Sequence, residues 1–259
     1  MSESPLRIIA VDWSGKSKNA AETIWLSEVL NEQLVILENG RGRGELVDHL
    51  LKEASANRHM VVGFDFAFAM PDWFMKQQGA TDAPGFWSIV ESQGETWLSS
   101  CPSPFYGRPG VPKDPLVEQL RKTEKSAPGA KSTFQISGPG AVGVGSIRGM
   151  SLLLRLRKAG WTIWPFDPPG LPMVVEIYPR LLAGAIIKTA WKKRLGYLEQ
   201  HFPSLDPRYL ERAAGSEDAF DAAVSSLIMS RHRSSFRTLP DLSSSPPYQL
   251  EGRIWSPSD

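Results

Sequence analysis

The sequence has almost no cysteine, little histidine and almost no net charge, and each shortage removes a class of protein. Cys101 is the sole cysteine among 259 residues, which excludes a disulfide framework and a thiolate zinc site and fits a reducing compartment. Histidine occurs four times, and His59 and His201 are not at metal-ligand spacing. With 29 Lys+Arg against 28 Asp+Glu the formal charge is +1, too little for a protein that coats long duplexes by neutralising phosphates. No apolar run approaches the roughly 18–20 residues that span a bilayer. The N-terminal MSESPLRIIAVD lacks the basic-then-apolar pattern of a signal peptide, so the expectation is a cytoplasmic protein with no membrane partner.

What is there points to a packed globule. The 41% hydrophobic content is too high for a disordered chain, and 22 Gly with 21 Pro spread along the length exclude a coiled coil. A single domain over residues 1–259, or a core with an insertion, fits the length.

Alternation and breakers predict strands over Leu6–Asp12, Glu22–Val29, Gln33–Glu38 and His59–Phe66, with a helix over Glu45–Ala54 before the last of these. Residues 67–145 are irregular, aromatic-rich and Pro-rich, and read as an insertion after the fourth strand that contains a short helix over Leu116–Lys125. Met150–Ala159 reads as an amphipathic helix, Met173–Tyr178 as a fifth strand, and Leu181–Phe202 as mostly helical. Ser216–Arg231 has a helical stripe, with Ser216 as N-cap and Glu217 and Asp218 suiting the positive end of the helix dipole. Gly252–Trp255 is a candidate edge strand. There is no internal repeat.

Acids stand where this pattern would otherwise be apolar: Asp12 ending the first strand, Asp65 ending the fourth, Glu176 in the fifth, and Asp218 with Asp221 three apart on the last helix. A strand-end Asp is often a turn former, and a first-turn acid often a cap. Asp65 is the sharpest of the set, because GFDFAFA places a charge inside an aromatic run, where an unpaired carboxylate is costly. Gathered acids need a compensating cation, and oxygen-bound Mg²⁺ or Mn²⁺ suits phosphoryl chemistry.

The order of elements, together with VDWSG, GFDFAFAMP, VEIYP and EDAFDAA, resembles the ribonuclease-H-like fold. It resembles in particular an uncharacterised family of predicted nucleases known as domain of unknown function four-two-nine. The resemblance implies an α/β fold with a mixed five-stranded sheet flanked by helices. It also implies Asp12, Asp65 and Asp221 as catalytic metal ligands with Asp218 as a fourth, and a nucleic acid or another phosphoester as substrate. Glu176 departs from that pattern and enters as a further ligand or a supporting residue. The same superfamily contains actin-like and sugar-kinase ATPases, which duplicate the fold, and the lack of a repeat here weakens that alternative.

The segment SGPGAVGVGSIRG, with Gly138, Gly140, Gly143, Gly145 and Gly149, reads equally as an anion-binding loop and as a tightly turning one. It matches neither a P-loop nor a dinucleotide fingerprint. Ser146 and Arg148 are the phosphate contacts it would supply, Lys16 just after Asp12 is a separate one, and Arg121, Lys122 and Lys131 are further basic residues. Trp73, Trp87 and Trp97 are base-stacking platforms or, as aromatic burial favours, the core of the insertion. Three functions follow: a divalent-metal-dependent nuclease or phosphodiesterase, a catalytically silent binding module of the same fold, and a small-molecule phosphotransferase. Charge is also uneven, because residues 101–160 carry ten basic and three acidic side chains and the first hundred carry eight and fourteen.

Overall fold

The computed structural model describes residues 5–259. Its strands are β1 (Arg7–Asp12), β2 (Trp25–Leu30), β3 (Gln33–Glu38), β4 (Met60–Phe64), β5 (Thr162–Ile163) and β6 (Met173–Glu176). Its α-helices are α1 (Ala20–Thr23), α2 (Arg43–Ala56), α3 (Asp72–Gln77), α4 (Ala83–Ser100), α5 (Lys122–Ser126), α6 (Val142–Lys158), α7 (Pro179–Ala183), α8 (Trp191–His201), α9 (Pro207–Gly215), α10 (Glu217–Arg231) and α11 (Tyr248–Glu251).

The strands form one mixed sheet in the order β3-β2-β1-β4-β6-β5. β2 runs antiparallel to β1 and β3, while β1, β4, β6 and β5 are mutually parallel. The sheet therefore has six strands rather than the expected five. The extra one is the two-residue edge strand Thr162–Ile163, stopped by Pro165, whose missing N–H cannot extend a ladder. Ile254 adds an isolated bridge to Glu176 in place of the expected strand over Gly252–Trp255.

Strand alternation divides the core. Ile9, Val11, Val62, Phe64 and Val174 face one side, where α2, α4 and α6 pack. Ile8, Ala10, Val61 and Val175 face the other, under α8, α9 and α10. Residues 67–145 do not form a separate core. Phe74, Phe86, Trp87, Trp97, Phe105 and Phe134 belong to the same buried cluster as Ile9 and Val62, with Phe74 at 5.1–5.7 Å from Trp97, Phe105 and Phe134. Trp87 and Trp97 are buried and thus no stacking platforms, and Trp73 is half-buried against Phe134.

Three expectations are refined. The glycine-dense segment is not a loop throughout, since α6 begins at Val142 and takes in Gly143, Gly145 and Gly149. Glycine disfavours helix by about 1 kcal/mol per residue, so contact must compensate. A Cβ on Gly143 would stand 2.3 Å from the Thr133 carbonyl oxygen, and one on Gly149 would stand 2.6 Å from the Phe66 ring. The segment expected as mostly helical over Leu181–Phe202 is two helices, broken at Gly184, whose φ of +78° a side chain disfavours, and resuming at Trp191. The helix expected over Leu116–Lys125 shortens to α5. No helix of the described residues is long and apolar enough to cross a membrane.

Candidate functional site

Strand parity and register bring two of the acids, Asp12 and Asp65, to one face. Val11 pairs with Phe64, and one step further the Asp65 N–H donates to the Val11 carbonyl at 3.1 Å, which sets Asp12 beside Asp65 at the carboxyl end of two parallel strands. Asp12 shares parity with Ile8 and Ala10, and Asp65 with Val61 and Gly63, so both lie on the α10 side. α10 starts there because the Ser216 hydroxyl accepts from the Ala219 N–H at 3.0 Å, and the helix carries Asp218 and Asp221 in its first turns. A hydrogen bond of 2.6 Å between Ser27 on β2 and Ser226 on α10 fixes the helix over the sheet.

The cluster is electrostatically unfavourable. Asp12 and Asp65 are half-buried, and Asp221 is 8% exposed. Burial is the largest influence on Asp12, and Asp65, Asp221 and Asp218 add to it, pushing its carboxyl well above the ordinary range. Burial and then the Asp221 charge push Asp65 to about 8. Asp221 and Asp218 are raised by burial too, against the lowering pull of Lys188 on the former and Lys16 on the latter. No hydrogen-bond donor among the described residues reaches the Asp12 or Asp65 carboxylate, and Asp221 Oδ1 is buried with no partner.

Lys188, on the loop between α7 and α8, donates to Asp221 Oδ2. Burial opposes the lysine's charge, but Asp221, Asp65 and Asp12 outweigh it and raise its pKa. Sequence reasoning missed Lys188 because it lies within a segment read as mostly helical and far in sequence from the acids; Gly184 was the available signal that the helix breaks before it. Among the described residues no three His, Cys, Asp or Glu side chains converge as a ready metal-holding group. The acids act on one another as charges without meeting at one point.

Glu176 is not in this cluster. It pairs in register with Phe64 and shares parity with Val174, so it faces the opposite side of the sheet. There Arg121, fully buried, donates to both its oxygens, and the Phe68 N–H donates to Oε2 at 2.9 Å. Both oxygens are thus already engaged, which removes the reason to count Glu176 as a metal ligand. Two of the proposed phosphate contacts are occupied as well. The buried Ser146 hydroxyl donates to the Val142 carbonyl and accepts from the Ala67 N–H, both at 3.0 Å. Arg148 pairs with Glu95 at 2.7 and 2.9 Å and donates to the Gly15 carbonyl. Lys16 is exposed and acts on Asp218 through its charge.

The donor chemistry suits a hard divalent cation. Asp12, Asp65, Asp218 and Asp221 offer oxygen alone, and one of those oxygens is buried and unpartnered. Comparison with known protein families, curated proteins and solved structures yields no match.

Proposed function

We propose that this chain is a divalent-metal-dependent phosphodiesterase of ribonuclease-H-like fold, in which Asp12, Asp65 and Asp221 hold Mg²⁺ or Mn²⁺ and Asp218 completes the set. One observation carries the reading: four carboxylates from β1, the end of β4 and α10 share a partly desolvated space in which Lys188 is the one ammonium among the described residues that hydrogen-bonds to them, and Asp221 Oδ1 has no partner. A buried like-charge group of this kind is unfavourable unless cations or protons balance it. The chain order β1, α1, β2, β3, α2 and β4, in which α1 is a single turn, with an acid ending β1 and one directly after β4, supports the fold reading.

A bound divalent ion would supply Lewis-acid polarisation of a phosphoryl oxygen. The protein's part is to hold the carboxylates on rigid strand ends and one helix, and to keep Lys188 within reach of the same space. Lys16 and Lys188 are placed to meet substrate charge once Lys188 leaves Asp221.

The Lys188–Asp221 contact also favours a second reading, a silent binding module in which a lysine and bound protons neutralise the acids. Mn²⁺ titration followed by thermal unfolding and by cleavage of a phosphodiester separates the two. The metal reading expects saturable stabilisation, about 2.7 kcal/mol at a hundredfold excess over Kd. It also expects Asp12→Asn and Asp65→Asn to lose both that stabilisation and cleavage while remaining folded. No stabilisation of the wild-type chain by millimolar Mn²⁺ would sink it.

A further inference from the structure

The walls around Asp65 and Asp221 bear on the size of the substrate. Two cavities of about 240 and 460 Å³ meet at Asp65 and share Lys131, Gly140, Val142 and Tyr178. The smaller runs past Trp13 and Phe66 to the start of α6, and the larger passes Arg180 and Lys188 to Asp221. The larger of the two has the volume of a pocket for one small organic ligand.

The outer wall comes from residues 121–142, and it is tied down. Arg121 is buried in its contacts with Glu124, Glu176 and the Glu251 carbonyl, the Lys122 N–H donates to Glu251 at 2.8 Å, and the Tyr178 hydroxyl donates to the Gly129 carbonyl at 3.0 Å. A duplex approaching Asp65 from this side would have to displace a wall anchored by a buried ion-pair network, which is costly to break.

Cations also line the cleft. In the basic middle segment Arg121, Lys125, Arg148, Arg155 and Arg157 pair with acids, while among the described residues Arg108, Lys113, Lys122 and Lys158 pair with none and line neither cavity. Lys131 and Arg180 pair with none among the described residues, and both line the cleft. Glycines let them lie close to the backbone: a Cβ on Gly129 would stand 3.2 Å from the Arg180 Cζ, and one on Gly140 would stand 3.1 Å from the Lys131 Cγ. Asp221, nine-tenths buried and with Oδ1 unpartnered, lines the same larger cavity.

We propose that this cleft is a nucleotide-sized substrate site, which takes one small phosphoester unit with its phosphate between the carboxylates and the Lys131 and Arg180 cations. The inference rests on the phosphodiesterase reading and narrows it to free small phosphodiesters or the end of a single strand. The reaction is hydrolysis. The water oxygen bonds to phosphorus, the P–O bond to the leaving alcohol breaks, and a proton from that water ends on the leaving oxygen. Guanidinium and ammonium groups without acid partners are suited to hold the phosphate oxygens in this step.

The test uses the full chain with Mn²⁺ and three probes: a thymidine dinucleotide, a linear single strand, and a closed circular single strand of the same sequence. Calorimetry should show dinucleotide binding that weakens at least tenfold in Lys131→Ala/Arg180→Ala, while Mn²⁺ still stabilises that variant as it does the wild type. The linear strand should lose nucleotides from an end, or the free dinucleotide alone should be turned over, and these two results distinguish strand ends from free esters. The circle should be cut at least a hundredfold more slowly than whichever is the substrate. Circle and linear strand cut at equal rates, or dinucleotide binding unchanged in the double variant, would overturn the proposal. Dinucleotide binding with no Mn²⁺ stabilisation would overturn the metal reading while supporting the cleft.

Discussion

Asp65 and Glu176 stand one register step apart on neighbouring strands, and their carboxylates meet opposite surroundings. Glu176 faces a fully buried arginine that supplies charge and hydrogen bonds together. Asp65 faces other acids, and burial and Asp221 raise it to about 8. The folded state therefore holds the Asp65 proton more tightly than the unfolded chain, whose carboxyl titrates near 3.8. The sign follows: this group's contribution to stability is intact below about pH 4 and is lost as pH rises through about 8. Asp12, Asp218 and Asp221 shift the same way and add to the slope. In EDTA, unfolding free energy should fall across that window, and Asp65→Asn should flatten the fall and gain on the order of 1 kcal/mol at its alkaline end. Urea unfolding at several pH values measures this, and an Asn variant as steep as wild type would contradict it.

At the scale of elements, α6 shows why a glycine-rich stretch can be a helix. Gly143 lies against the Thr133 and Gln135 carbonyls, Gly94 of α4 lies against Ile147, and Gly15 lies against the Gly145 backbone. These glycines let α6 press against α4 and against the loop that follows Asp12, and that loop is further held by Arg43 and Arg148. Gly143→Ala should destabilise by about 1–3 kcal/mol, since its Cβ meets backbone that cannot give way. Gly44→Ala in α2 has open space around it and should be neutral or stabilising by about 0.5–1 kcal/mol. Chemical denaturation of the pair checks this, and equal effects would mean that close approach is not what keeps glycine at 143.

At the scale of the molecule, one buried cluster joins the sheet to residues 67–145. The aromatic rings of that segment touch the same core as Ile9 and Val62, and Arg121 ties it to β6 through Glu176. The whole chain should then unfold as one unit. Tryptophan fluorescence and far-ultraviolet circular dichroism should give one denaturation midpoint, and an earlier fluorescence transition would show that the segment folds separately. Charge also has a molecular pattern, because half of the basic residues of 101–160 pair with acids, and Lys131 of that segment and Arg180 line the cleft without an acid partner among the described residues.

Much of the frame was legible in the sequence, because it depends on local pattern: the α/β class, β1 and β3 nearly to the residue, the cap at Ser216, and the acids at strand ends and on α10. A strand's alternation and a helix's cap are written within a few neighbouring residues, so composition and spacing determine them. Which acids share a face was decided by register. Asp12 and Asp65 lie together because β1 and β4 pair in parallel with matched parity, and the same register turns Glu176 to the far side to meet Arg121, 55 residues away. Lys188, Arg180 and the wall over Asp65 come from segments distant in the chain. Their charge and shape act through space, so the tertiary structure alone could bring them to the carboxylates.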